Sequence, residues 1–97
     1  MKRITVNDKI LWHLLPYLKY NQEYEMPVDI TQDGIARRVG ISRGHVAVSI
    51  GELKKRGMIE ERLSRVRNVG RQRKVYFLTS KGTLHIRALI RTINKKT

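Results

Sequence analysis

Apolar residues recur at helical spacing in several stretches of this chain and take on strand character in two others. Ile10, Leu11, Leu14, Leu15 and Leu18 form one stripe, as in a helix buried along one side. Asn7 or Asp8 offers its cap, because a short acceptor side chain meets the unpaired N–H groups of a first turn. Pro16 falls inside the stripe, where it removes a backbone hydrogen bond and should kink or shorten the helix. Trp12 projects roughly 130° from the centre of the stripe, so it is expected to be partly exposed, packing on a neighbouring loop or meeting a partner. Residues 21–27 are polar and turn-like, and Val28-Asp29-Ile30 is long enough only for a small edge strand. Thr31 then caps a second helix, Gln32 to Val39, and Gly40 closes it with left-handed backbone. Ser42 caps a third helix running to about Arg56, and Gly57 ends that one.

About three residues join these two helices, which is helix-turn-helix spacing. Met58 to Arg67 mixes β-branched and polar residues, Asn68-Val69-Gly70 reads as a turn, and Val75-Tyr76-Phe77-Leu78 as a second strand, so the pair predicts a hairpin. Thr79 or Ser80 caps a last helix from Lys81 to about Asn94. On it Leu84 and Ala88 face one side, while Ile86, Leu89, Ile90 and Ile93 face nearly the opposite one. A helix apolar on two sides usually has two neighbours. One face is expected on the chain's own core and the other on a second subunit; burial of both within one chain is the alternative. Trp12, Ile86, Leu89, Ile90 and Ile93 are the candidate dimer-interface residues. The fold class is mainly α with a small β-hairpin (α+β). A single domain is expected over 1–97, with a helix-turn-helix at about 31–56, a hairpin at about 58–79 and a C-terminal helix at about 80–94.

Charge narrows the function. The chain has 97 residues, 21 Lys+Arg against 8 Asp+Glu, and a formal net charge of +13. Residues 1–61 are nearly balanced, whereas residues 62–97 hold eleven of the cations and no acid. Arg62, Arg65, Arg67, Arg71, Arg73 and Lys74 fall within the hairpin. A solvated basic face, an anionic membrane or an acidic protein would suit such a run, but nucleic acid suits it best. No cysteine is present, which excludes disulfides and thiolate metal sites and fits a reducing cytoplasm. No apolar run approaches the ~20 residues that span a bilayer, and the start MKRIT lacks the apolar stretch of a signal peptide.

The most informative segment is Ile35 to Ile59, IARRVGISRGHVAVSIGELKKRGMI. Ala36 supplies the small residue where two helices meet, Gly40 the turn, and Ile41 the apolar residue after it. Ile35 and Val39 should meet Val46, Ile50 and Leu53. This ungapped run resembles the winged helix-turn-helix of MarR-like and related archaeal regulators, and VYFLTSKG resembles their second wing strand leading into the final helix. The resemblance covers residues 28–84. It implies a three-helix core with a wing and a C-terminal helix, and a third helix that enters the DNA major groove. The outward residues of that helix are then Ser42, Arg43, Gly44, His45, Ala47, Val48 and Gly51. Arg43 suits bidentate reading of guanine O6 and N7. Thr31, Gln32 and Ser42 sit at helix starts, which favour phosphate, and His45 either contacts phosphate or is simply packed or solvated. Ala47 and Val48 can touch thymine methyls but read no hydrogen bonds, and two glycines in the helix cost stability unless close approach to DNA or to the core requires them. Gly70-Arg71-Gln72-Arg73-Lys74 is read as the wing tip, with Arg67 behind it, gripping the backbone or the minor groove.

Phosphate-loop, dinucleotide and HExxH motifs are absent, His13, His45 and His85 fall on different helices, and Glu60 and Glu61 are adjacent rather than convergent. Neither an enzyme nor a metal site nor a cofactor is expected. The expectation is a cytoplasmic transcriptional regulator that binds double-stranded DNA as a homodimer. The rival is a winged-helix protein-interaction or RNA-binding module, or the N-terminal part of a larger archaeal regulator.

Overall fold

The first helix starts on a reciprocal pair of hydrogen bonds. In the computed structural model, which describes residues 3–22 and 25–95, Thr5 precedes helix α1 (Val6–Leu14). Its hydroxyl accepts from the Asp8 N–H at 3.1 Å, and the Asp8 carboxylate accepts from the Thr5 N–H at 3.1 Å. The cap is therefore Thr5 rather than Asn7 or Asp8, and Asp8 completes a capping box from inside the helix. Pro16 shortens the helix as expected: α1 stops at Leu14, and the chain continues as a 3-10 helix over Leu15–Gln22.

The small edge strand lies earlier than expected. Strand β1 is Glu25–Met26, while Val28–Ile30 forms a single 3-10 turn. Pro27 separates them, because its ring fixes φ and it has no N–H to extend a ladder. That turn is anchored to the first helical stretch: the Asp29 carboxylate accepts from the Tyr17 hydroxyl at 2.7 Å and the Asp29 carbonyl from His13 Nε2 at 2.8 Å. The first of these bonds raises the Tyr17 pKa, since it favours the protonated phenol. Within the polar stretch 21–27, residues 23 and 24 lie outside the described residues.

Helices α2 (Gln32–Val39) and α3 (Arg43–Lys55) are capped by Thr31 and Ser42. Gly40 makes the turn between them at φ 80°, a backbone that side chains disfavour. Ile35, Val46, Ile50 and Leu53 are buried between these helices, as the spacing predicts. Strands β2 (Ile59–Val66) and β3 (Gln72–Leu78) follow, paired antiparallel from Ile59↔Leu78 to Arg65↔Gln72. β1 joins the other edge of β2 in parallel, giving the order β1-β2-β3. β3 begins three residues before Val75, so Gln72, Arg73 and Lys74 belong to a strand and not to the wing tip. Asn68, at φ 65°, makes the turn. Val75, Tyr76, Phe77 and Leu78 are all buried, so both faces of β3 are covered at its root, where α1, α4 and the 3-10 segments pack.

Helix α4 (Ser80–Asn94) begins at Thr79, and its start repeats the start of α2. Thr31 donates its hydroxyl to the Val28 carbonyl at 2.6 Å and accepts from the Gly34 N–H at 3.2 Å. Thr79 donates to the Gly57 carbonyl at 2.6 Å and accepts from the Gly82 N–H at 3.1 Å. In both, a Cβ on the glycine would collide with backbone, at the Val28 carbonyl for Gly34 and at the Met58 carbonyl for Gly82.

The two faces of α4 are assigned the other way round from the interface expected. Ile86 and Leu89 are fully buried in the chain's own core, and Ile90 and Ile93 pack against it. Ile86 and Leu89 are thus unavailable as a subunit surface, and Ile90 and Ile93 keep only part of their surface open; Leu84, 72% exposed, and Ala88 point outward. Trp12 is exposed beside a shallow groove formed with Lys9, His13, Arg38 and Val39.

His85 Nε2 reaches the Asp8 carboxylate at 3.2 Å, tying α4 to α1. Burial works to raise the Asp8 pKa, but hydrogen bonds from Thr5 and His85 outweigh it and hold the carboxyl below its ordinary value. A lowered folded pKa stabilises the fold above the ordinary aspartate value and ceases to do so as pH falls through the folded one. Asp8→Ala is therefore expected to cost about 1–2 kcal/mol at neutral pH, with the difference shrinking in acid, measured by thermal melts across pH. Gly34→Ala and Gly82→Ala should each cost on the order of 2–4 kcal/mol, because the clash is with backbone; urea unfolding checks this.

Candidate nucleic-acid interface

The outward face of α3 is exposed among the described residues. Arg43, Gly44, His45, Ala47, Val48 and Gly51 are exposed, Val48 to 63%. A Cβ at Gly44 or Gly51 would meet nothing within 4 Å. Close packing on the chain's own core is thereby removed as the reason for these glycines. The Ser42 hydroxyl accepts from the His45 N–H at 3.1 Å, so it serves as the helix cap while remaining exposed.

Beside the start of α3 lies a crevice of about 200 Å³ lined by Thr31, Gln32, Asp33, Arg43, Arg73, Lys74 and Tyr76. It brings together expected residues from three elements: the starts of α2 and α3, and strand β3. Three of them make contacts within the chain. Thr31 is buried, with its hydroxyl committed to Val28 and Gly34, so it serves the fold rather than a phosphate. Gln32 donates from Nε2 to the Arg43 carbonyl at 2.9 Å. Arg43 Nε contacts the Asp33 carboxylate at 2.6 Å while the Arg43 side chain stays 69% exposed. Asp33 was not among the expected residues. Its only sequence signal is an acid in a helix first turn, a common placement with a local explanation.

A second acidic residue organises the base of the wing. Glu61 accepts from Lys54 of α3 at 3.1 Å and stands 3.9 Å from Lys74 of β3. Desolvation acts to raise the Glu61 pKa, but Lys54, Lys74 and the Tyr76 hydroxyl together lower it. The same pairing acts oppositely on Tyr76, whose pKa burial first and Glu61 second push up to about 12. Arg62 pairs with Glu60 at 2.6 Å and lies over the Phe77 ring. Farther out, Arg67, Arg71 and Arg73 are exposed, and no carboxylate lies within ion-pair distance of them among the described residues. These cations of the outer wing are therefore unpaired among the described residues, while those at the root are partly neutralised by Glu60 and Glu61.

Because Gly51 lies in a helix interior with open space around it, Gly51→Ala should raise stability by about 1 kcal/mol, measured by urea unfolding. A loss of stability would mean that an unrecognised packing role exists.

The chain matches the model of the Crp-like helix-turn-helix domain over residues 9–73. Comparison with curated proteins finds no match. Among solved structures, it is similar to MepR, a transcription regulator of the Staphylococcus aureus multidrug efflux pump MepA, with a TM-score of 0.64 and 22% identity. That likeness covers 96% of this chain and 60% of MepR, so the chain spans about three-fifths of the longer protein. Two MepR variants from the same organism match at TM-scores of 0.60 and 0.58, with 21% and 20% identity; they too cover 96% of this chain, and 63% and 62% of theirs. These likenesses show the winged helix fold that the segment 35–59 and the hairpin predict. With two-thirds of its length matched by the domain model, the chain belongs to the Crp-like helix-turn-helix domain family.

Proposed function

We propose that this chain is the DNA-binding domain of a transcriptional regulator, with α3 in the major groove and the wing on the phosphate backbone or in the adjoining minor groove. The observation that carries the reading is the bare face of α3: Gly44, Ala47, Val48 and Gly51 are exposed with no role in the fold, directly beside the cationic crevice. Small residues on a helix allow its backbone to sit deep in a groove. Ser42 and His45 flank this face, and Arg43 is its one side chain suited to reading guanine. Arg67, Arg71, Arg73 and Lys74, with Gln72 between them, supply phosphate contacts, which carry affinity without sequence information. Base readout is consequently narrow, and DNA shape contributes to selectivity.

The same reading makes the chain a non-enzyme acting in the cytoplasm, where its DNA lies. No helix among the described residues is long and apolar enough to cross a membrane. It also makes the chain a homodimer on a two-fold related site. The outward face of α4, with Leu84 and Ala88, is the apolar surface that a second copy would cover. The rival reading, a module for RNA or protein, is separated from this one by a mobility-shift assay.

Random duplex is expected to bind in preference to single strands and structured RNA. With about 6–8 phosphates contacted, affinity should fall by roughly three or more decades between about 50 and 200 mM salt. Arg71→Ala and Arg73→Ala should each weaken duplex binding irrespective of sequence and reduce the salt slope by about one. Preference for RNA, or a flat salt response, would sink the proposal.

A further inference from the structure

Asp33 is out of place on electrostatic grounds. It stands in a crevice whose other charged groups are Arg43, Arg73 and Lys74, beside the face proposed to meet a polyanion. A carboxylate there repels phosphate. Yet the structure holds it in direct contact with Arg43 Nε at 2.6 Å, and neither side chain is buried, at 69% and 43% exposure.

The geometry of that contact explains the arrangement. A guanidinium offers five N–H donors in a fixed fork, one on Nε and four on the terminal nitrogens. Engaging Nε from the side leaves the outer donors on the terminal nitrogens, which form a bidentate pair with guanine O6 and N7. An unpaired arginine gives up much rotamer freedom when it docks; one already clamped through Nε loses less. The main chain of Arg43 is held as well, since its carbonyl accepts from Gln32 Nε2 at 2.9 Å. Asp33 itself rides on the most constrained part of α2, between Thr31 and Gly34, whose hydrogen bond and backbone packing fix the helix start.

We infer that Asp33 is a positioning residue that orients Arg43 for guanine, raising sequence selectivity at the expense of general affinity for DNA. This rests on the proposed DNA-binding role of α3. It leads to two opposite effects from one substitution. Asp33→Ala releases Arg43 and removes a charge that repels phosphate. Its affinity for random duplex should rise a few-fold at low salt, while its preference for the selected site over random duplex should fall about tenfold. Asp33→Asn keeps an acceptor for Nε and loses the charge, so it should gain the general affinity and retain most of the preference.

The test is selection of bound sequences from a random duplex pool by the wild-type chain, followed by binding measurements on the selected and random duplexes. Arg43→Ala, Asp33→Ala, Asp33→Asn and Asp33→Ser are compared, with folding checked by circular dichroism. Ser is too short to reach Arg43 yet caps a helix start well, so it replaces Ala should Ala not fold. Support is a guanine position enriched by the wild type, lost in Arg43→Ala and in Asp33→Ala or Asp33→Ser, and kept in Asp33→Asn. The inference is overturned if Asp33→Ala keeps the wild-type preference, if Asn and Ala behave alike, or if no guanine position depends on Arg43. Failure of the wild type to bind any duplex would instead overturn the DNA-binding reading, and this inference with it.

Discussion

A backbone carbonyl pressed against a helix-start glycine is the constraint on which the rest of this fold depends. It occurs twice, in Thr31-Gln32-Asp33-Gly34 and in Thr79-Ser80-Lys81-Gly82. In each, the threonine hydroxyl both donates to a backbone carbonyl, of Val28 or of Gly57, and accepts from the glycine N–H. The helix is thereby fixed in direction and in depth, since any Cβ at the glycine would push it away. The first instance sets α2 on the turn that follows Pro27, which in turn holds the start of α3. The second seats α4 on the junction between α3 and β2. Helix α3 thus lies between two points where backbone rests on backbone, and its outward face is left exposed.

Much of this was legible in the sequence because it is local. Thr31, Gly40, Ser42 and Gly57 act through hydrogen bonds and backbone angles within a few residues of themselves, so their types and spacing bound α2 and α3 accurately. The buried set Ile35, Val46, Ile50 and Leu53 follows from periodicity alone. What was misread depends on distant partners. β1 is defined by pairing with Arg65 and Val66 some forty residues away, and two residues carry no pattern. Thr5 was overlooked because Asn7 and Asp8 are equally plausible caps, and the choice is settled by the reciprocal bond to Asp8. The faces of α4 were exchanged because periodicity identifies apolar sides without saying which one meets the core. Within the site, the type and place of Thr31 suggest a phosphate contact, but its hydroxyl is engaged by Val28 and Gly34. Asp33 carries no distinctive signal, because an acid at a helix start has a local explanation.

The acids, few as they are, shape the interface more than their number implies. Glu60 and Glu61 lie at the wing root and draw Arg62, Lys54 and Lys74 inward. The Lys54–Glu61 pair links the end of α3 to the base of the hairpin. The cations beyond the root are left to the outside. A net charge read only as a sum conceals this gradient, which runs from a neutralised base to an open tip.

Among the described residues, the order β1-β2-β3 leaves the outer edge of β3 without a partner strand. An open edge is a template on which another copy's strand can add, and chains commonly protect such edges with charge. Over Gln72, Arg73 and Lys74, two copies brought edge to edge would set cation against cation. The cations proposed to grip DNA thus also disfavour edge-to-edge pairing of two hairpins, so neutralising them would remove that repulsion as well as phosphate contacts.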